Sequence, residues 1–254
     1  MMKILVLSDA HANIWALNKI FETEKNYDKL VFAGDMVDYG IAPHEVIEAL
    51  RNNSKATIVY GNHDRYAIEI RNTEDYSIMP DGSYKWLNHN LAIMTDEEIN
   101  YLDSLPRQQY FYADGYAYLM QHQYILGKYD CIENRKQFMD FWKESTPEEM
   151  WDAPKKRMIF GHTHRQCIHI LDEGMEWINP GSISYRRPDD PDKRAHYMTI
   201  EEGNIKMKQV EYNRKPLYDE AVKQYYKGKM KLTEIQDFMF FFGDAKTSRD
   251  EIIL

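Results

Sequence analysis

The 254 residues suffice for one large domain or two small ones, and 43% apolar residues allow a substantial core. A net charge of −9 excludes nucleic-acid binding through a broad basic face, and two cysteines without paired spacing, Cys131 and Cys167, exclude a disulfide framework or a thiolate zinc site. The N-terminal apolar run is broken by Ser8 and Asp9, too early for a signal peptide or a membrane span, so a cytoplasmic, soluble chain is expected.

Lys3–Leu7 is a short continuous apolar run, as in a strand buried on both faces. Asn13 is a helix N-cap, and Ile14, Leu17, Ile20 and Phe21 share one face of the helix it opens. Lys29–Phe32 reads as the second strand. Pro43 starts a second helix with Val46, Ile47 and Leu50 as its stripe, and residues 56–60 form the third strand. This rhythm predicts a parallel sheet with right-handed crossovers, in which ligands gather beyond the carboxyl ends of the strands. Residues 65–94 interrupt it. Tyr66, Tyr76, Tyr84 and Trp86 interleave there with polar residues and Pro80-Asp81-Gly82, which predicts a loop-and-helix excursion or, on a sharper reading, a lid over the substrate.

Thr95 and Glu98 form a capping box ahead of Ile99, Leu102 and Leu105, and Pro106 ends that helix. Residues 109–112 and 116–120 flank Asp114-Gly115 as a hairpin. Residues 133–151 read as one helix with Phe138, Phe141 and Trp142 on its apolar side. Strands are expected at 157–160, 167–171, 175–178, 195–200 and 205–212, so the β-rich second half should supply a second sheet. From Pro216 the pattern is helical, and Phe238 with Phe240, Phe241 and Phe242 is expected to dock on the body, a homo-oligomer being the alternative. Residues 244–254 read as a loose tail.

Five polar clusters close five of the candidate strands: Asp9-Ala10-His11, Gly34-Asp35-Met36-Val37-Asp38, Gly61-Asn62-His63-Asp64, Gln121-His122-Gln123 and Gly161-His162-Thr163-His164. Each alone reads as a polar turn; five together do not read as independent turns. They offer Asp9, His11, Asp35, Asn62, His122, His162 and His164 as ligands, hard oxygens and imidazoles without a thiolate. That set suits manganese, iron, zinc, nickel or cobalt. It is too large for one ion and about right for two divalent ions that share a carboxylate and clamp a phosphate for in-line displacement. His63 lies beside Asn62, and Asp38 lies three residues after Asp35. A histidine held by an aspartate suits a general acid facing a leaving oxygen.

The order Asp-x-His, Gly-Asp-x-x-Asp, Gly-Asn-His-Asp, a lone His and Gly-His-x-His resembles the calcineurin-like metallophosphoesterase superfamily, from residue 3 to about residue 212. Ser8-Asp9-Ala10-His11-Ala12-Asn13 and Asn179-Pro180-Gly181-Ser182 look most like its small bacterial and archaeal phosphodiesterase branch. The resemblance implies an α/β fold of two packed β-sheets flanked by helices over residues 1–212, with 213–254 a helical extension outside it. It implies a binuclear centre in which Asp9, His11, Asp35 and His164 hold one ion and Asp35, Asn62, His122 and His162 the other. It further implies that His63, oriented by Asp38, supports the leaving group while a metal-bridging hydroxide attacks a small phosphodiester.

Two positions depart from the family pattern. Gln123 follows the lone histidine where the family usually has Gly, and Tyr39 stands where protein serine/threonine phosphatases carry Arg, which speaks against a phosphoprotein substrate. Arg187, with Arg186, follows the Asn179–Ser182 turn, where a guanidinium could reach a phosphate oxygen. The alternatives are a phosphomonoesterase or protein phosphatase, a nuclease, which the acidic balance disfavours, and a non-catalytic scaffold like the retromer subunit that resembles this family. A scaffold has no need of every ligand and His63.

Overall fold

The computed structural model describes residues 2–73, 85–184 and 192–243. Along β1 (Lys3–Leu7) side chains alternate, Ile4 and Val6 to one face and Leu5 and Leu7 to the other, all four fully buried. A strand of that kind must be covered on both sides. It lies at the centre of a sheet with β2 (Lys29–Phe32), β3 (Ala56–Ile58), β9 (Ala195–Glu201) and β10 (Asn204–Val210), in the order β10-β9-β1-β2-β3. β1, β2 and β3 run parallel, with Ile4 opposite Lys29 and Leu30 opposite Ala56. The second sheet has the order β4-β5-β6-β8-β7, from β4 (Gln108–Ala113), β5 (Tyr116–Gln121), β6 (Lys156–Ile159), β7 (Gln166–Asp172) and β8 (Met175–Pro180).

The sheets pack face to face. Ile4, Val6 and Val31 of the first meet Tyr118, Met120, Ile159 and Ile178 of the second in one apolar cluster. On the outer face of the first sheet, Leu5, Leu7, Leu30 and Phe32 pack under α1 (Ile14–Thr23), α2 (Pro43–Arg51), α3 (Asn62–Arg71), α4 (Lys85–Ile93) and α5 (Asp96–Ser104). On the other side α6 (Arg135–Ser145) lays Phe138 and Trp142 over Leu119, Met158 and Trp177. The result is the expected four-layer α/β/β/α sandwich.

Three elements differ from the sequence reading. β9 and β10 join the first sheet, with Lys3 paired antiparallel to Glu201; β9 is buried along six of its seven residues, which fits a place next to the central strand. Of residues 65–94, expected as a loop-and-helix excursion or a lid, the described part is helical and packs into the main core. α3 springs directly from the turn after β3, and Ala67, Ile68, Ile70, Leu87 and Leu91 of α3 and α4 belong to the core; the rest of the candidate lid, 74–84, lies outside the described residues. The helix expected over 133–151 stops at Ser145, because Pro147 forces Thr146 into an extended conformation (φ −130°, ψ 154°); a single 3-10 turn follows at Glu148–Met150.

The C-terminal helices, α7 (Lys215–Tyr226) and α8 (Leu232–Phe242), bury Leu217, Ala221, Ile235, Phe238 and Phe242 together with Ile41, and Tyr39 packs against the same cluster. The extension therefore docks on the loop that follows β2. No helix among the described residues is long and apolar enough to cross a membrane.

Candidate metal centre

β1, β2 and β3 end at one edge of the first sheet, and the loops beyond them carry Asp9 and His11, Asp35 and Asp38, and Asn62 and His63. β5 and β6, parallel in the facing sheet, end in His122 and in His162 and His164. Backbone hydrogen bonds tie these loops together: Asp9 N–H donates to Gly34 O (2.9 Å), Ala10 N–H to Asp35 O (2.8 Å) and Gly161 N–H to His122 O (3.0 Å). Two glycines permit the approach. A Cβ on Gly61 would lie 1.9 Å from Asp35 Oδ1, and one on Gly161 would lie 2.0 Å from Ser8 Oγ.

Two donor groups converge. Asp9, His11 and His164 form one, and Asp35, His122 and His162 the other, the ligating atoms of each lying within 4.8 Å of one another. In the first, His11 Nε2 is 3.1 Å from His164 Nε2, and His164 Nε2 is 3.2 Å from Asp9 Oδ1. In the second, His122 Nε2 is 3.0 Å from Asp35 Oδ2 and 3.1 Å from Asn62 Oδ1, which adds Asn62 to the group. Asp35 Oδ2 is also 4.0 Å from His11 Nε2, so this carboxylate faces both groups. The distal ring nitrogens are anchored: His11 Nδ1 lies 3.2 Å from Val37 O, and His122 Nδ1 lies 2.6 Å from Ala33 O. Such backbone anchors fix ring orientation and leave Nε2 for a metal.

The donor set fits divalent cations on its own chemistry. His162 Nε2 is buried without a hydrogen bond among the described residues, and buried Asp35 Oδ2 has only the His122 ring nitrogen beside it, although buried polar atoms are nearly always satisfied. Four imidazoles and three oxygen-bearing side chains with no thiolate match borderline and hard divalent ions.

Protonation follows the same crowding. Burial alone would discharge His122, but Asp35 and Asp9 raise its pKa to about 9. Burial opposes ionisation of Asp35, yet the charges of His122 and His63 hold its pKa well below the usual carboxylate range. Burial, then the charge of His122, push His162 down to about 4. His63 has its Nδ1 2.6 Å from Asp38 Oδ2 and makes no Nε2 hydrogen bond among the described residues. Its side chain keeps 16% exposure. Burial would lower its pKa, but Asp35 and then Asp38 raise it to about 9 in the metal-free chain.

The geometry thus brings together all seven ligands proposed from sequence and the His63–Asp38 pair; Arg186 and Arg187 lie outside the described residues. The model of the calcineurin-like phosphoesterase superfamily domain matches residues 2–203. The chain belongs to that superfamily. Its members use divalent metals, and the two donor groups are where this one would bind them. The chain is 27% identical over 241 residues to an uncharacterised protein of Methanocaldococcus jannaschii, covering 87% of this chain and 92% of that one. It is 31% identical over 96 residues to a symmetrical bis(5'-nucleosyl)-tetraphosphatase of Coxiella burnetii, spanning 37% of this chain and 32% of that enzyme. The crystal structure of a metallophosphoesterase from Sphaerobacter thermophilus superposes with a TM-score of 0.67 over 93% of this chain and 98% of that one, at 23% identity.

Within this phosphoesterase fold four further residues serve the site without being ligands. Buried Asp64 accepts four backbone N–H groups: Met36 (2.8 Å) and Val37 (3.2 Å) at Oδ1, Asp35 (2.9 Å) and Gly61 (2.9 Å) at Oδ2. Burial and then the charge of Asp35 raise its pKa to about 6, against the pull of those donors. Asn90 of α4 accepts from Asp38 N–H (3.0 Å) and donates to Gly40 O (2.8 Å), which fixes the loop bearing Asp38. Ser182 Oγ–H donates to Asp9 O (2.9 Å). Gln123, the departure from the family pattern, donates from Nε2 to Asn62 Oδ1 (2.8 Å). Asp64 stood within a quoted motif; Asn90 carried no sequence signal, being one polar residue in an otherwise ordinary helix.

Proposed function

We propose that the chain is a cytoplasmic, two-metal phosphoesterase that hydrolyses a small phosphodiester. The observation that carries the reading is Asp35, whose Oδ2 lies 3.0 Å from His122 Nε2 and 4.0 Å from His11 Nε2, one imidazole of each donor group. A carboxylate so placed suits a ligand shared by two ions, with Asp9, His11 and His164 on one side and Asn62, His122 and His162 on the other. Bound divalent ions, manganese foremost, would supply positive charge for the phosphoryl oxygens and an acidified water as nucleophile.

The chain's own residues supply the rest. His63, held through Nδ1 by Asp38, presents Nε2 to the site and donates its proton to the departing oxygen. Asp38 fixes the ring and offsets its charge. Arg187, with Arg186, is assigned to the substrate phosphate. Tyr39 supports a diester: its ring lies 5.1 Å from that of His11 and 5.0 Å from that of His63, so an aromatic group borders the site where a monoester dianion would profit from a cation.

A second reading, hydrolysis of a nucleoside polyphosphate, has the partial similarity to the tetraphosphatase in its favour. The test is catalytic efficiency at saturating manganese on bis(p-nitrophenyl) phosphate, p-nitrophenyl phosphate, 2',3'-cyclic nucleotides, a dinucleoside tetraphosphate and a phosphoserine peptide. A diester should lead; a faster monoester or peptide overturns the assignment.

A further inference from the structure

Beside the second donor group is a cavity of about 150 Å³, lined by Asn62 and His122 on one side and by Tyr60, Arg65, Arg107 and Leu126 on the others. Most of its polar groups are spent within the protein. Arg65 pairs with Glu69 (3.0 Å) and Asp103 (3.2 Å). Gln121 Nε2 donates to Gln123 O (2.5 Å), while Gln123 uses Nε2 on Asn62 and Oε1 on Gly127 N–H (2.7 Å). Arg107 differs: its guanidinium has no hydrogen bond or ion pair among the described residues. The Tyr60 hydroxyl is likewise without a partner among them.

Arg107 is not placed at random. Pro106 O, immediately before it, accepts Tyr60 N–H (3.2 Å), and Tyr60 precedes the Gly61-Asn62 turn. The backbone bearing the arginine is thus pinned to the backbone bearing a proposed ligand. An exposed arginine without a counter-charge among the described residues, its backbone held at a cavity wall in a chain of net charge −9, is a local anion site. Leu126, 74% exposed on the rim, offers apolar contact to whatever follows the anion.

We propose that this cavity receives a second phosphoryl group of the substrate, next to the phosphorus that reacts, and that Arg107 reads its charge with the Tyr60 hydroxyl as a further donor. The proposal rests on the phosphoester reading for the identity of its ligand. It narrows the substrate to esters that carry two neighbouring phosphoryl groups, and it makes Arg107 a determinant of specificity.

The test is calorimetric binding of methylenediphosphonate and of methylphosphonate to the manganese-saturated full chain, as wild type, Arg107→Ala and Arg107→Lys. Arg107→Ala should reduce the ratio of diphosphonate to monophosphonate affinity on the order of ten- to a hundredfold, the range for a hydrogen bond between charged groups. Arg107→Lys should recover part of that ratio. An unchanged ratio in Arg107→Ala overturns the proposal, as does an equal loss for both ligands. Turnover of bis(p-nitrophenyl) phosphate by the wild type is measured on the same preparation. Turnover without a change of ratio removes the second-phosphoryl site and leaves the phosphoesterase reading. A changed ratio without turnover keeps the anion site and removes the enzymatic reading.

Discussion

Asp64→Asn isolates the part of the centre that touches neither metal nor substrate. The native carboxylate divides four buried N–H groups between its oxygens, Met36 and Val37 at Oδ1, Asp35 and Gly61 at Oδ2. An amide keeps one oxygen and turns the other into an NH2 group that faces two donors. Whichever way it is oriented, two buried N–H groups lose their acceptor. Each such loss costs about 1–3 kcal/mol, giving roughly 2–6 kcal/mol for the pair. The neutral amide recovers some of this, because ionising Asp64 is already disfavoured by burial and by Asp35, as its pKa of about 6 records. The expected net destabilisation is therefore in the lower half of that range, about 2–4 kcal/mol. Urea denaturation of the metal-free protein reads it as a shift of midpoint at unchanged slope. Manganese affinity should fall too, since Asp64 joins the Asp35 loop to the Asn62 turn. A variant as stable as wild type within about 0.5 kcal/mol would refute the clamp.

Three further outcomes are expected. Asp35→Asn should lose more manganese than any other single ligand change, because its carboxylate faces both groups; elemental analysis should give close to two equivalents for wild type, and one or none would sink the binuclear reading. His63→Ala should keep both ions and lose on the order of 10²–10⁴ in turnover, less for nitrophenolate than for alkoxide leaving groups; equal losses would argue against the acid role. Far from the site, buried Glu24 accepts from Lys208 (2.6 Å), Lys3 (2.7 Å) and Tyr197 (2.9 Å), and although burial opposes it, these bonds lower its pKa. A folded-state pKa below the unfolded value gives stability that is present above about pH 4.5 and is lost as pH falls through the folded value. Glu24→Gln should thus be less stable than wild type at pH 7, with the gap closing in acid; a gap independent of pH would be evidence against this pairing.

Much of the fold was legible because its signals are local. Lys3–Leu7 and Lys29–Phe32 are short apolar runs, Thr95 and Glu98 do form a capping box, and Asp114-Gly115 does turn a hairpin. Which sheet a strand joins is not a local property. Nothing in residues 195–201 says that they lie beside β1, 190 residues earlier, and not beside β8, some 15 residues earlier; the choice follows from which buried edge is left open once both sheets are assembled. The aromatic run after Asn62 misled for a related reason. Tyr66 and the aromatics after it point by composition to a separate excursion, but Ala67, Ile68 and Ile70 are what α3 turns toward the core. The helix expected through 133–151 failed on one residue, Pro147, whose effect on Thr146 outweighs the apolar periodicity around it.

The site was legible by residue type and illegible by conformation. Asp9, His11, Asp35, Asp38, His162 and His164 all have left-handed backbones, with φ of 56°, 44°, 62°, 74°, 66° and 59°. Each such residue costs about 1–3 kcal/mol against a relaxed backbone, so six of them weigh as much as the whole stability of many domains. The loops bear it because they are held by their neighbours: Asp64 holds four N–H groups of the loops after β2 and β3, Asn90 holds the first of these again at Asp38 and Gly40, and backbone bonds run from Asp9 N–H to Gly34 O, from Ala10 N–H to Asp35 O and from Gly161 N–H to His122 O. The residue types suit both tasks. Asp and His are enriched at positive φ, and they are also the donors that hard and borderline cations take. Tyr39 (φ 59°) and Ala12 (φ 50°) carry the same backbone without being donors. Tyr39 is wedged between the rings of His11, His63 and Phe241, so α8 bears on the loop that positions Asp38. Through Tyr39 the loop that carries Asp38 is thus in contact with α8, so the C-terminal helices pack directly against a loop of the centre.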